Sequence, residues 1–64
     1  METTITIARA QESHLGKVVV MGKQMLGKLE MRSTNEHFIL HWKFKAPQYR
    51  NLFLKKVAAE FSMN

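Results

Sequence analysis

The stretch from His37 to Lys45 reads His-Phe-Ile-Leu-His-Trp-Lys-Phe-Lys and carries the strongest structural signal in the chain. Its even-numbered positions hold large apolar side chains, and its odd-numbered positions hold histidine or lysine apart from Ile39. A period of two is typical of a β-strand that buries one face and exposes the other. The pattern predicts a strand whose core face carries Phe38, Leu40, Trp42 and Phe44.

The residues before this strand alternate in the same way and predict its hairpin partner. A two-residue turn at positions 34–35 would place Met31 opposite Phe38 and Gly27 opposite Trp42. A slip of one residue would turn every apolar side chain to the other face, so the pattern specifies which face is buried.

Residues further upstream predict two more strands. A glycine-first hairpin loop fits positions 22–23 and would pair Val20 with Met25 and Val18 with Gly27 across two strands. Residues 3–10 supply Ile5 and Ile7 to a first strand, and a polar loop at 11–16 joins the two.

Beyond Lys45 the period changes to that of a helix. Pro47 fits the first helical position, and Phe53, Val57 and Phe61 form an apolar row at a spacing of four residues. We therefore predict an α+β fold, in which an antiparallel β-meander of three to four strands packs on one C-terminal α-helix. The length of 64 residues predicts a single small domain that spans 1–64.

The chain is strongly basic, with ten Lys and Arg against five Asp and Glu and a formal net charge of +5. Between His37 and Ala59 it carries five of these cations and no acid. A concentrated positive surface attracts polyanions, including nucleic acid and acidic protein surfaces.

Catalytic, metal-binding and cofactor-binding patterns are weak in this chain. Without cysteine there is no disulfide, no thiolate zinc site and no cysteine nucleophile. The string from Gly22 to Leu29 matches the first seven positions of a phosphate loop, but Leu29 stands where that motif needs Ser or Thr. His37 and His41 lie about 13 Å apart along one strand, too far to share a metal ion. We predict no metal and no cofactor.

The enzymatic alternative is a metal-free ribonuclease that uses His41 with Lys28 or Lys43. A histidine on a basic strand is far more often a plain surface residue. We therefore predict no catalytic residue and expect that the protein is not an enzyme.

The predicted register brings the basic side chains of the hairpin to the outer face of the sheet, with Glu30 as the only acid among them. Such a face contacts phosphates, whereas the aromatic side chains that would stack on bases point into the core. We predict a small non-enzymatic nucleic-acid-binding protein that makes backbone contacts and reads little base sequence. The predicted contacts are Lys28, Arg32, His41, Lys43 and Lys45 on the sheet and Arg50, Lys55 and Lys56 on the helix.

The alternative is a small accessory regulator or inhibitor that binds an acidic surface of a partner protein. A domain this small has little stability to spare, so we also predict a homodimer or an obligate partner. The chain begins without a secretory signal and its longest apolar run, 18–21, is too short to span a membrane, which predicts a cytoplasmic protein with no membrane partner. The predicted apolar anchors of the interface are Val19, Leu26, Ile39 and Leu52.

Overall fold

The computed structural model describes residues 1–62. The strands are β1 (Glu2–Ala8), β2 (Lys28–Ser33) and β3 (His37–Lys43), and the α-helices are α1 (Leu15–Gln24) and α2 (Pro47–Ser62), with a short 3₁₀ helix at Arg9–His14. The three strands form one antiparallel sheet, and both α-helices pack on the same face of it. The fold is α+β with a C-terminal helix on the sheet, as predicted. Neither α-helix of residues 1–62 combines the length and the hydropathy of a membrane-crossing segment.

The central strand β3 provides most of the core. Its even-numbered side chains are buried, as the alternation predicts, and Phe44 is buried just beyond the end of the strand. The ring centroid of Phe53 on α2 lies 5.2 Å from that of Trp42 and 5.2 Å from that of Phe44. Each such buried side chain stabilises the fold by about 1.5–3 kcal/mol. The buried residues are Ile7, Val18, Phe38, Leu40, Trp42, Phe44, Phe53 and Val57.

The order of the strands in the sheet is β1-β3-β2. β1 pairs antiparallel with β3, which places Ile5 opposite Leu40 and Ile7 opposite Phe38. β1 and β2 therefore run parallel on either side of β3, and α1 makes the crossover between them. This order differs from that of a meander, in which strands adjacent in sequence are also adjacent in the sheet.

The segment predicted to form a strand through Val18 and Val20 and a turn at 22–23 is helix α1, so this part of the prediction is wrong. Val18 and Gly22, one helical turn apart, are the buried residues of α1. A Cβ atom at Gly22 would clash with the ring of Trp42, so this glycine allows the helix to approach the sheet closely. Packing against the sheet has overridden the β-propensity of three consecutive valines.

The hairpin between β2 and β3 turns at residues 35–36, one residue later than predicted. Thr34 organises this turn, because its backbone N–H donates to the His37 carbonyl oxygen (2.8 Å) and its hydroxyl oxygen accepts from the His37 N–H (3.0 Å). The register is therefore displaced by two residues. A displacement of two keeps every side chain on its predicted face but changes its partner across the strands.

The loop between α1 and β2 contains a residue with positive φ, Leu26, at 60°. The Leu26 N–H donates to the Lys23 carbonyl oxygen (3.0 Å) and the Gly27 N–H donates to that of Gly22 (2.9 Å), a pattern that ends many helices. Glycine is the usual residue at the left-handed position of this pattern. Here the glycine comes one residue later, where a Cβ atom would lie 2.7 Å from the Phe44 ring.

Candidate nucleic-acid interface

The outer face of the sheet, opposite the helices, carries the basic side chains of β2 and β3. Lys28 lies opposite Lys43 and Arg32 lies opposite Ile39, so even-numbered residues of β2 share a face with odd-numbered residues of β3. His41 lies on the same face, two residues before Lys43. The structure thus brings Lys28, Arg32, His41 and Lys43 to one face, as the alternation predicts. No element within residues 1–62 covers this face.

Lys28 and Lys43 form a directly opposed pair of like charge at one end of the sheet, where the predicted register had placed His41 opposite Lys28. Both lysines are exposed. Directly opposed side chains have Cβ atoms about 5 Å apart, and like charges there destabilise a sheet by about 0.2–1 kcal/mol. Lys43 Nζ lies 3.8 Å from Glu2 Oε1, whereas Lys28 forms no ion pair with the described residues.

A hydrogen-bonded chain of three side chains connects β1 to β3. His41 Nε2 donates to Glu2 Oε1 (3.1 Å), and His41 Nδ1 lies 3.0 Å from Thr4 Oγ1. Because a carboxylate only accepts hydrogen bonds, Nε2 carries the proton, and the Thr4 hydroxyl donates to Nδ1 when the imidazole is neutral. The side chains of His41 and Glu2 are 39% and 56% exposed. This open, solvated arrangement orients the imidazole ring.

The neighbours of Glu2 favour its ionised form. The pKa of the Glu2 carboxyl lies below its ordinary value of 4.5, first because His41 donates a hydrogen bond to it and second because the Lys43 ammonium is close. Glu2 therefore carries a negative charge at neutral pH. A phosphate that binds Lys43 competes with this carboxylate for the ammonium group.

The sequence analysis did not predict Glu2 and Thr4 as part of this site, because the meander placed the first strand beside the segment around Val18 and Val20 and not beside β3. Once β1 lies beside β3, Glu2 is opposite Lys43 and Thr4 is opposite His41. The available signal was their spacing of two residues, which places both on one strand face. The outer face therefore holds a second acid besides Glu30, and its net positive charge is lower than predicted.

Positive charge is concentrated at the end of the sheet where β1 begins and β3 ends. The Phe44 N–H donates to the Met1 carbonyl oxygen there (2.6 Å), and Lys45 follows directly. Arg50 Nη1 lies 3.8 Å from Met1 Sδ, which brings the first turns of α2 to the same end. We name this cluster the basic corner; it consists of Lys28, Lys43, Lys45 and Arg50.

Lys55 and Lys56 lie outside the basic corner. Both are exposed on α2, which packs on the other face of the sheet. These two lysines therefore do not extend the basic surface of the sheet, although the sequence grouped them with it.

A shallow depression lies in the middle of the outer face, around the half-buried Ile39. Thr4 and His41 line it from β1 and β3, and Glu30 and Arg32 line it from β2. It offers a ligand one permanent cation, one carboxylate and two groups that form hydrogen bonds. Ile39, predicted as an apolar anchor, contributes the apolar surface of this depression.

The other predicted anchors lie in different parts of the molecule. Val19 lies in α1, where it is half-buried against the core, and not on the outer face of the sheet as predicted. The helical conformation of 15–24 accounts for this position, and the role of Val19 at an interface stays a prediction. Leu26 and Leu52 are 61% and 45% exposed, on the α1–β2 loop and on α2.

The side chains of the outer face limit what it binds. Phe38, Trp42 and Phe44 are buried, so β3 presents no aromatic ring for stacking on bases. Within residues 1–62, no group of three or more histidine and glutamate side chains is placed to hold a metal ion. No protein-family model, curated protein or solved structure matches the chain.

Proposed function

We propose that this protein binds nucleic acid, without catalysing a reaction, by holding phosphates at the basic corner. The supporting observation is the Lys28–Lys43 pair, in which two like charges face each other on an uncovered sheet face. A phosphate between the two ammonium groups removes their repulsion and accepts charge-assisted hydrogen bonds from both. Binding would relieve the part of this repulsion that the Glu2 carboxylate, 3.8 Å from Lys43 Nζ, does not already offset.

Lys45 and Arg50 extend this phosphate site along the end of the sheet. Arg50 Nε and Nη2 lie 3.4 and 3.3 Å from Asn51 Oδ1, so this edge of the guanidinium group is engaged in the free protein. A phosphate would displace Asn51 Oδ1 from this edge or contact Nη1 and Nη2 at the end of the group. The three lysines act as mobile point charges beside it.

Contacts to bases are a minor part of the proposed binding. The aromatic side chains of β3 are buried, and the depression around Ile39 offers only Arg32, Glu30 and two weaker polar groups to a base edge. Affinity should therefore depend on salt far more than on nucleotide sequence. The absence of cysteine is compatible with a protein of the reducing cytoplasm, where we place this function.

A double variant of the corner tests the proposal. Lys43→Gln with Lys45→Gln removes two phosphate contacts, and counterion release at about 0.15 M salt predicts affinity about thirtyfold weaker for a fluorescent oligonucleotide. Fluorescence anisotropy, measured with single-stranded and duplex probes, gives the dissociation constants.

The matched control is Lys55→Gln with Lys56→Gln on α2. It lowers the net charge by the same amount as the corner variant, but on the other side of the molecule. Because salt screens these distant charges, nucleic-acid affinity should fall by less than about threefold. Equal losses in the two double variants would show that net charge alone drives binding, and no measurable binding by the unaltered protein would refute the proposal outright.

A further inference from the structure

The outer side of the helical layer contains a furrow between α1 and α2. Two depressions adjoin there, and Met21 lines both of them. The first is otherwise lined by Ser13, Gly16, Lys17 and Val20, and the second by Lys56, Ala59 and Glu60. The furrow lies on the opposite side of the molecule from the outer face of the sheet.

Apolar side chains are exposed along this furrow. Val20 is 54% exposed, although it belongs to the apolar segment of α1. Leu52, on α2, is 45% exposed and shares a helix face with Lys56 and Ala59, at spacings of four and seven residues. Contiguous exposed apolar surface with a polar rim is typical of interaction sites.

Gly16 has no packing role within the described residues. A Cβ atom there would meet nothing within 4 Å, whereas at Gly22 and at Gly27 it would overlap aromatic rings. Glycine in a helix is less stable than alanine by about 0.5–1 kcal/mol. The open space over Gly16 allows another backbone to approach α1 closely.

The rim of the furrow is positively charged, which selects its occupant. Lys17 and Lys56 line it, and the acid among its lining residues, Glu60, lies 3.0 Å from His14 Nδ1 and 3.7 Å from Lys17 Nζ. Lys56 is the lining cation that forms no ion pair with the described residues. Lys23 does not line either depression but lies on the same face of α1 as Val20, at a spacing of three residues. A second copy of the chain docked on this face would bring lysines against lysines, whereas an acidic partner would complement them.

We infer that the furrow binds an acidic amphipathic helix of a partner protein. Apolar side chains on one face of that helix would contact Val20, Met21 and Ala59, in the helix-in-groove mode. Carboxylates flanking this apolar face would pair with Lys17, Lys23 and Lys56. The inference is independent of phosphate binding at the basic corner, because the two surfaces lie on opposite sides of the sheet.

Selection from a random peptide library tests the inference. Displayed peptides of about 16 residues, long enough for four helical turns, are selected on the full chain and then assayed against Val20→Glu. The selected peptides should be acidic with apolar residues at helical spacing, and Val20→Glu should weaken their binding by about thirtyfold, as for the loss of an anchor.

The matched control is Met31→Glu, which introduces the same charge at a side chain that is 51% exposed on β2. It should leave peptide affinity unchanged, and circular dichroism should show that both variants stay folded. The inference is overturned if the selected peptides are not acidic, if they bind Val20→Glu as tightly as the unaltered chain, or if no peptide is enriched. It is also overturned if sedimentation shows a dimer that Val20→Glu dissociates.

Discussion

The core face and the outer face of the sheet are formed by alternate residues of the same strands, yet different interactions organise their side chains. On the core face, Trp42 packs against the backbone of Gly22, and its buried Nε1 atom has no hydrogen-bond partner within residues 1–62. On the outer face, the neighbouring His41 has partners at both ring nitrogens and is only partly buried. Close packing holds the core face together, whereas solvated polar contacts organise the outer face.

This difference implies that stability and binding are separable in the molecule. Substitutions on the core face should change the free energy of unfolding, because they alter buried contacts in a small core. Substitutions of exposed charges on the outer face should change affinity for phosphates with small effects on stability.

The largest expected effect is that of Gly22→Ala. The new methyl group would overlap the Trp42 ring, so we expect the free energy of unfolding to fall by about 1–3 kcal/mol. Gly16→Ala is the control in the same helix; with open space above it, it should raise stability by about 0.5 kcal/mol. Urea denaturation measures both, and equal effects of the two substitutions would contradict the close packing of α1 on Trp42.

Local residue patterns predicted β3 and α2 but not the helix at 15–24. The alternation in β3 predicted its buried side chains, and the helical period predicted α2 with Pro47 as its first residue and Phe61 in its apolar row, which agrees with the observed Pro47–Ser62. These patterns are local. The fold of 15–24 is set by contact with Trp42 from a distant strand, and the valines before Gly22 favour a strand by themselves.

Part of the candidate site was predictable because the alternation of residues along a strand is also a local pattern. The face shared by Lys28 and Lys43 follows from alternation, which survives a displacement of two residues. The positions of Glu2 and Thr4 depend on β1 lying beside β3, a non-local pairing that no residue pattern in the chain specifies.

Leu26→Gly tests the strain in the loop that joins α1 to β2. Leu26 has a φ of 60°, where glycine has no steric cost and other L-residues lose roughly 1–2 kcal/mol. We expect a gain in stability of about 1 kcal/mol with no change in nucleic-acid affinity. Thermal unfolding together with anisotropy checks both, and a loss of stability would mean that the exposed side chain makes a contact that holds the loop.

Lys28→Gln should raise the stability of the protein and weaken its binding to nucleic acid. Removal of the like-charged pair should raise the free energy of unfolding by about 0.2–1 kcal/mol. The loss of one phosphate contact should weaken oligonucleotide binding about fivefold at about 0.15 M salt. If denaturation shows instead that this variant is less stable, Lys28 and Lys43 do not repel each other in the folded protein.

The smallest effect concerns the titration of Glu2. Its pKa is lowered in the folded protein, so its stabilising contribution is present above the ordinary pKa of 4.5 and is lost as the pH falls through the folded value. His41→Ala removes the main cause, and the pKa of Glu2 should rise toward 4.5 while Lys43 still lowers it. NMR titration of the carboxyl group measures this shift; an unchanged pKa would exclude the hydrogen bond as its cause.

The salt dependence of oligonucleotide affinity tests phosphate binding at the basic corner most directly. Four phosphates held by Lys28, Lys43, Lys45 and Arg50 predict a slope of log affinity against log salt of about −3.6 on duplex DNA. The Lys43→Gln, Lys45→Gln variant should reduce the slope to about −1.8. A slope near zero, or the same slope in both proteins, would contradict the assignment of phosphate binding to this corner.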